Sequence, residues 1–419
     1  MTRMSPMPRD PGGELVIGLL GHTVTSSNLG IGALTLSDIR ILEEVAATLG
    51  RDIRFELTAW HEPHPVYIER PNLRYHPLSR GFILRRDGLR AMARRCDLVL
   101  DICGGDSFTD IYGPKRFVMQ LAAQAAVTGT GTPLGFAPQT IGPFNRVWAR
   151  RAAAWILRRA AFVCARDTLS SEYVRSFGDD RITLIEATDV AFHLPYAPRA
   201  KAHEVDGKIH VGINVSGLLF AGGYTGKNEF GLKMDYPTLL RRLIREFSER
   251  GDCVVHLIGH VIIDSASGAG EDDQRACEQL GAEFPAVIVE PPAPGPSEAK
   301  SVISSMDYVF GARMHACIAA FSSGVPVLPM AYSRKFLGLF GTLGYGHVAD
   351  CRTASSAEVE ALILDGFDRR DQLAAQIESA NREALGRLDL YRSFLAGVLC
   401  GPDRRVAAPE RASDPDIQA

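Results

Sequence analysis

The chain has 419 residues, and its 46 Lys and Arg nearly cancel its 49 Asp and Glu. With no polybasic block, that balance argues against a nucleic-acid partner and gives no support for electrostatic binding to a membrane. The length suits two domains of ordinary size, and the longest apolar runs fall far short of the ~20 residues needed to span a bilayer.

The opening segment, MTRMSPMPRDPGGE, is polar and rich in Pro and Gly, without the apolar core of a signal peptide. Residues 1–13 are therefore expected to be flexible and the protein cytoplasmic, with peripheral contact at the inner membrane face left open. The eight cysteines are scattered, none in a CxxC pair, and most lie in apolar runs. They read as reduced core thiols, and neither a disulfide framework nor a metal site is expected.

From residue 14 the pattern alternates between strand and helix. ELVIGLLG (14–21) is a short apolar run ending in Gly, and the following helical stretch closes at Gly50, a good left-handed stop. IRFELTAW (53–60), DLVLDICGG (97–105), PLGFAPQ (133–139), AFVCARD (161–167) and ITLIEATDVAF (182–192) read as further strands, separated by helical segments after residues 115 and 146. HLPYAPRAKAHEVDGK (193–208) is polar and contains two prolines. It marks a linker, giving an N-terminal domain at 14–195, a linker at 196–208 and a second domain at 209–399.

The second domain repeats the alternation through IHVGINVSG, CVVHLIGHV, AVIVEPP, YVFGA and VPVLPMAY, then ends in a helical region over about 355–399 assigned to the same domain. The polar tail 400–419 is expected to be disordered. The fold class is α/β: two Rossmann-like, doubly wound domains facing a cleft. In such sheets ligands sit beyond the carboxyl ends of the strands, so the loops directly after strands hold the candidate residues.

Five such loops stand out. After the first strand, GHTVTSSNLGIGAL carries Asn28, which either caps the next helix or hydrogen-bonds a ligand. GGDSFTDIYG offers Gly105 for close backbone approach and Asp106, which is either turn chemistry or a functional acid. APQTIGPF ends a strand at Gln139, in a Pro-punctuated turn. In CARDTLSSEY, Arg166 sits at a strand terminus, as a paired arginine or as an anion ligand. In HLIGHVIIDSASGAGEDD, His260 follows a strand, and Glu271, Asp272 and Asp273 read as a solvated helix start or as part of a site.

The stretch GARMHACIAAFSSGVP adds Arg313, Met314 and His315 at a strand–helix junction. A cation, a helix N-terminus and a titratable imidazole together make an anion site with a proton carrier. Several signatures are missing. GGYTGKN is not a P-loop, HEPHP is not HExxH, no GxSxG or strand-linked GxGxxG occurs, and Asp414-x-Asp416 lies in the tail.

Taken together, the N-x-G-x-GA at 28–33, GGDSF at 104–108, APQTIGP at 137–143, ARDTLS at 165–170 and GARMHACIAAFSSGVPV at 311–327 resemble the polysaccharide pyruvyl transferase family over about residues 16–350. The resemblance implies a GT-B-like fold and transfer of the pyruvyl group of phosphoenolpyruvate (PEP) to a sugar as a ketal, with loss of phosphate. It implies PEP as co-substrate without a further cofactor, and an acceptor glycan, in some members lipid-linked. Carried over by residue, it implies PEP binding by Arg166, Arg313 and Met314, and catalysis by His315. Asp106 joins His315 as an expected catalytic residue that orients or deprotonates the acceptor hydroxyl, and Asn28, Gly105, Gln139 and His260 are the expected acceptor contacts.

This chain departs from the common pattern at IGALTLSD and CGGDSF, both in the domain that the resemblance gives to the acceptor. Two rival readings fit the same fold. One is a metal-independent glycosyltransferase in which Glu298 holds a nucleotide ribose. The other is a non-catalytic glycan binder. Homo-oligomerisation is compatible with all three.

Overall fold

The computed structural model describes residues 13–60, 62, 64–263 and 270–400. The expectations for residues 1–12 and 401–419 fall outside that range.

Seven strands form the first sheet: β1 (Leu15–Leu20), β2 (Ile53–Trp60), β3 (Leu73–Leu78), β4 (Leu98–Asp101), β5 (Leu134–Gln139), β6 (Phe162–Ala165) and β7 (Leu184–Glu186). Six form the second: β8 (Ile209–Asn214), β9 (Cys253–Ile258), β10 (Ile288–Val289), β11 (Tyr308–Gly311), β12 (Val327–Ala331) and β13 (Ala349–Asp350). Their orders are β3-β2-β1-β4-β5-β6-β7 and β10-β9-β8-β11-β12-β13, with every pair parallel. Both are doubly wound, reversing direction between β1 and β4 in the first and between β8 and β11 in the second. Ligands are expected beyond the carboxyl ends of the strands at those reversals.

The sequence patterns account for the elements. β1 is buried at every position, as a parallel strand covered on both faces must be. The first helix, Leu29–Leu49, is capped by the Asn28 side chain accepting from the Gly30 amide, and Gly50 closes it at φ +65°.

Three features differ from the sequence reading. β3, LRYHPL, was not expected; its partly exposed alternation at the sheet edge hides it from a search for apolar runs. The run ITLIEATDVAF is strand only at Leu184–Glu186, so Thr188 and Asp189 lie just beyond a strand end. The last helix, Arg370–Cys400, does not stay with the second domain. It packs on the first helix, with Phe394 edge-on to Phe162 of β6 and Arg392 paired to Glu44. Together with 193–208 it ties the two halves, and one apolar core runs through both. Among the described residues no helix is long and apolar enough to cross a membrane.

Candidate active site

A cleft cavity of about 420 Å³ opens between the two sheets at their carboxyl ends, within the size range of small-molecule sites. Asn28, Gly105, Asp106 and Arg166 reach it from the first domain, and Arg313, Met314, His315 and Lys335 from the second.

Asp106 stands after β4, where the chain turns through Cys103, Gly104 and Gly105 at φ +46°, +63° and +90°. A side chain at 105 would be strained by that backbone, and its Cβ would lie 2.7 Å from Leu34 Cδ1 and 3.4 Å from Arg166 Nη1. The glycine lets the loop close over the arginine. Asp106 accepts hydrogen bonds from the Tyr112 hydroxyl at 2.9 Å and from Lys335 Nζ at 3.0 Å. Burial alone would raise the Asp106 carboxyl, but Lys335 and Arg166 outweigh it and hold the pKa at about 2. The same pairing pushes Lys335 upward against its own burial. Asp106 is thus a fixed anion bridging the cleft.

Arg166 is fully buried. Its Nη1 donates to Asp189 at 2.6 Å, its Nε to Thr140 Oγ1 at 3.0 Å, and its Nη2 faces the Met314 sulfur at 4.0 Å. Asp189 is equally buried and caps the turn at Val190–His193 through its other oxygen. Arg313 is held more tightly than the sequence indicated. Its Nε and Nη2 grip Asp273 at 2.6–3.2 Å, Nη2 also donates to the Glu271 carbonyl at 3.0 Å, and its backbone amide donates to Asn214 Oδ1. Burial opposes that charge, but Asp273 raises its pKa above the ordinary arginine value.

Asp273 is not part of a solvated helix start. It is buried and also accepts from the backbone amides of Gly217, His260 and Val261, tying the loops after β8 and β9 to Arg313. Asp272 is the residue that caps that helix.

His315 is the second residue of the helix Met314–Ser322 and reaches across to the first domain. Its ring rests on Gly30, where an added Cβ would come within 2.3 Å of Nδ1. Its Nε2 is buried without a hydrogen-bond partner among the described residues and lies 3.8 Å from Asp189 Oδ2. Burial drives the imidazole down to about 4. Asp189 acts the other way, and Arg166 and Lys335 reinforce the depression. The free protein therefore holds a neutral imidazole beside the Arg166 guanidinium and the Lys335 ammonium.

Two expected acceptor contacts are corrected. Gln139 is wholly buried and donates to the Asp101 and Ala137 carbonyls, so it braces β4 and β5 beneath the cleft instead of lining it. His260 is also buried and does not line the cavity. Burial, then His315 and Arg313, push it down to about 3, and its carbonyl receives the Leu29 amide, which makes it a domain contact. Asn28 lines the cavity with its side chain engaged as the helix cap. Glu298 does not line the cavity.

The sequence reading missed Asp189, Lys335 and Tyr112. The first two meet its own criterion of lying just after a strand. Asp189 was hidden inside an overlong strand, and Lys335 follows β12 in a helix, Arg334–Thr342, that was not separated.

The fold and cleft define a GT-B-like scaffold with paired cations and a neutral histidine at the domain junction. A family model described as polysaccharide pyruvyl transferase matches residues 49–334, and the chain belongs to that family. It is 23% identical over 306 residues to the amylovoran biosynthesis protein AmsJ of Erwinia amylovora, covering 68% of this chain and 69% of that protein.

Among solved structures it is similar to a putative UDP-N-acetylglucosamine 2-epimerase from Listeria monocytogenes. The TM-score is 0.60 at 12% identity, with 92% of this chain and 96% of that one covered. A UDP-bound MnaA from S. aureus gives a TM-score of 0.58 at 12% identity, covering 91% and 96%. At these identities the structural likeness bears on the fold alone.

Proposed function

We propose that the protein moves the pyruvyl group of PEP onto two hydroxyls of one sugar in a polysaccharide or its precursor, forming a ketal and releasing phosphate. The observation that carries this reading is the convergence of Arg166, Arg313, Lys335 and His315 on one cavity. PEP brings a phosphate and a carboxylate, and guanidinium donors suit both.

The steps balance with the residues present. One sugar hydroxyl adds to C2 of PEP, and a proton goes to C3, turning the methylene into a methyl. The second hydroxyl then replaces phosphate at C2, and its proton leaves with the phosphate. His315, neutral in the free protein, takes the proton from the first hydroxyl and delivers it to C3. The charges of bound PEP and the nearby Asp189 favour the imidazolium formed between those two events. Asp106, with its pKa near 2 and its lysine partner, is a poor base, so its role is to orient a hydroxyl.

Incubation with PEP and a panel of lipid-linked and aryl glycosides tests the reading. Phosphate should appear only with an acceptor that gains the mass of a pyruvyl ketal, and His315→Ala should abolish both. Stabilisation by UDP- or GDP-sugars and not by PEP would transfer the site to glycosyl transfer. Glycan binding without phosphate release would make it a non-catalytic binder. Exopolysaccharide synthesis is the setting this activity implies.

A further inference from the structure

A second cavity, of about 600 Å³, lies beyond the carboxyl ends of β1, β2 and β4 in the first domain. It shares the lining residues Ile31, Glu62, Gly104 and Arg116 with the cleft cavity, so the two adjoin. The chemistry assigned to the cleft makes no use of it.

Its charge differs from that of the cleft. Arg80, Lys115 and Arg116 line it, all exposed, and none has a carboxylate partner among the described residues. Arg116 donates to Ser107 Oγ at 2.7 Å and lies over the Tyr112 ring, which leaves its charge uncompensated. The half-buried acid on the wall, Glu62, is engaged by Ser26 Oγ and the Ser27 amide at 3.0 Å. Asp101 is buried in the floor, where Gln124 and the Cys103 amide hold it.

Two further groups fit a saccharide. Trp60 is half exposed on the cavity wall and can cover the apolar face of a sugar ring. Gln120 Oε1 is buried without a partner among the described residues and can accept from a hydroxyl.

We infer that this cavity holds a part of the acceptor that bears negative charge, so that the preferred acceptor is an anionic saccharide whose neighbouring unit carries a carboxylate or phosphate. The inference rests on the pyruvyl-transfer reading for the word acceptor, but the binding itself does not. Three cations without ion-pair partners outnumber the Glu62 carboxylate around a sugar-sized space and attract an anion, whereas a neutral glycan would leave them solvated and gain nothing from them.

The test is calorimetric binding to the intact protein, without PEP, of matched neutral and uronate-bearing di- and trisaccharides and of glycosyl phosphates. The acidic members should bind at least several-fold more tightly than their neutral counterparts. Tighter binding of uronates or of phosphates identifies which anion is read. Lys115→Gln and Arg80→Gln should each weaken the acidic ligands about fivefold and leave the neutral ones unchanged, with Lys115→Arg restoring affinity. Equal affinity for neutral and acidic saccharides, or no change in either Gln variant, overturns the inference. If the acidic preference holds but phosphate is never released from PEP, the transfer reading fails and this one stands.

Discussion

Asp189→Asn separates what holds the site together from what the site binds. Asp189 and Arg166 are both fully buried and 2.6 Å apart. The amide keeps an oxygen to accept from the Ala191 amide, so the turn is preserved, but the guanidinium is left as an unpaired buried charge. Breaking a buried pair from one side costs about 3–5 kcal/mol, because the remaining charge stays desolvated. The double variant Arg166→Met/Asp189→Asn removes both charges and should recover most of that loss.

A bound anion supplies the missing counter-charge, so PEP should stabilise Asp189→Asn by more than it stabilises the wild type. Losing Asp189 also removes the group that holds the His315 imidazole up, and its pKa should fall below the present value of about 4. Urea unfolding of the wild type and both variants, with and without PEP, measures all of this except the pKa. An Asp189→Asn protein within about 1 kcal/mol of wild type, or a double variant that is additive, would refute the reasoning.

Three other outcomes follow from the same geometry. Gly30→Ala places a methyl group 2.3 Å from His315 Nδ1, so the ring must move: turnover should fall roughly 100-fold, at a cost of about 1–3 kcal/mol in unfolding; unchanged phosphate release would remove His315 from the chemistry. His260 and His315 have folded pKa values of about 3 and 4, below the unfolded value, so the unfolded chain binds more protons as pH falls. Stability is therefore fully present above about pH 6.5 and is lost towards pH 4, by up to ~1.4 kcal/mol per pH unit for each histidine. His260→Leu should flatten that slope, and urea midpoints independent of pH in this window would contradict it. Lys335→Gln should raise the PEP KM about tenfold and let the Asp106 pKa rise from about 2, read as an upward shift in any acid limb of the rate profile.

The sheets were legible because buried parallel strands are continuous apolar runs, as β1 is. The position of the site followed from one rule about strand ends. That rule placed Asp106, Arg166, Arg313 and His315 around one cavity, but it also nominated Gln139, since a residue's place at a strand end does not tell which way its side chain turns. The same limit concealed the partners. Asp273 reads as one of three acids at a helix start, and only tertiary folding brings Arg313 onto it.

The last helix carries Leu373, Ile377, Ala380, Ala384, Leu388, Tyr391, Leu395 and Leu399 on its buried face. That spacing announces a covered face without saying what covers it, and the chain's return to the first domain had no local signal.

The two cavities differ in how their cations are held, and that difference should appear in their response to salt. Around the cleft, Arg166 has Asp189, Arg313 has Asp273 and Lys335 has Asp106, so each of these three charges is matched by its own carboxylate, and the unpaired Arg116 stands only at the border with the neighbouring cavity. On the proposed reading, recognition there depends on N–H donors left over in fixed positions, such as Arg166 Nη2, which faces the Met314 sulfur. In the neighbouring cavity Arg80, Lys115 and Arg116 are exposed and have no carboxylate partner among the described residues, and attraction depends on net charge. Exposed charges are screened strongly, with a Debye length of about 10 Å at 0.1 M salt and about 3 Å at 1 M, while buried groups are screened much less. Raising salt over that range should therefore increase the KM of an acidic acceptor several-fold more than that of PEP. A larger effect on PEP would mean that the cleft attracts its ligand by net charge after all, and that the three carboxylates do not neutralise their partners.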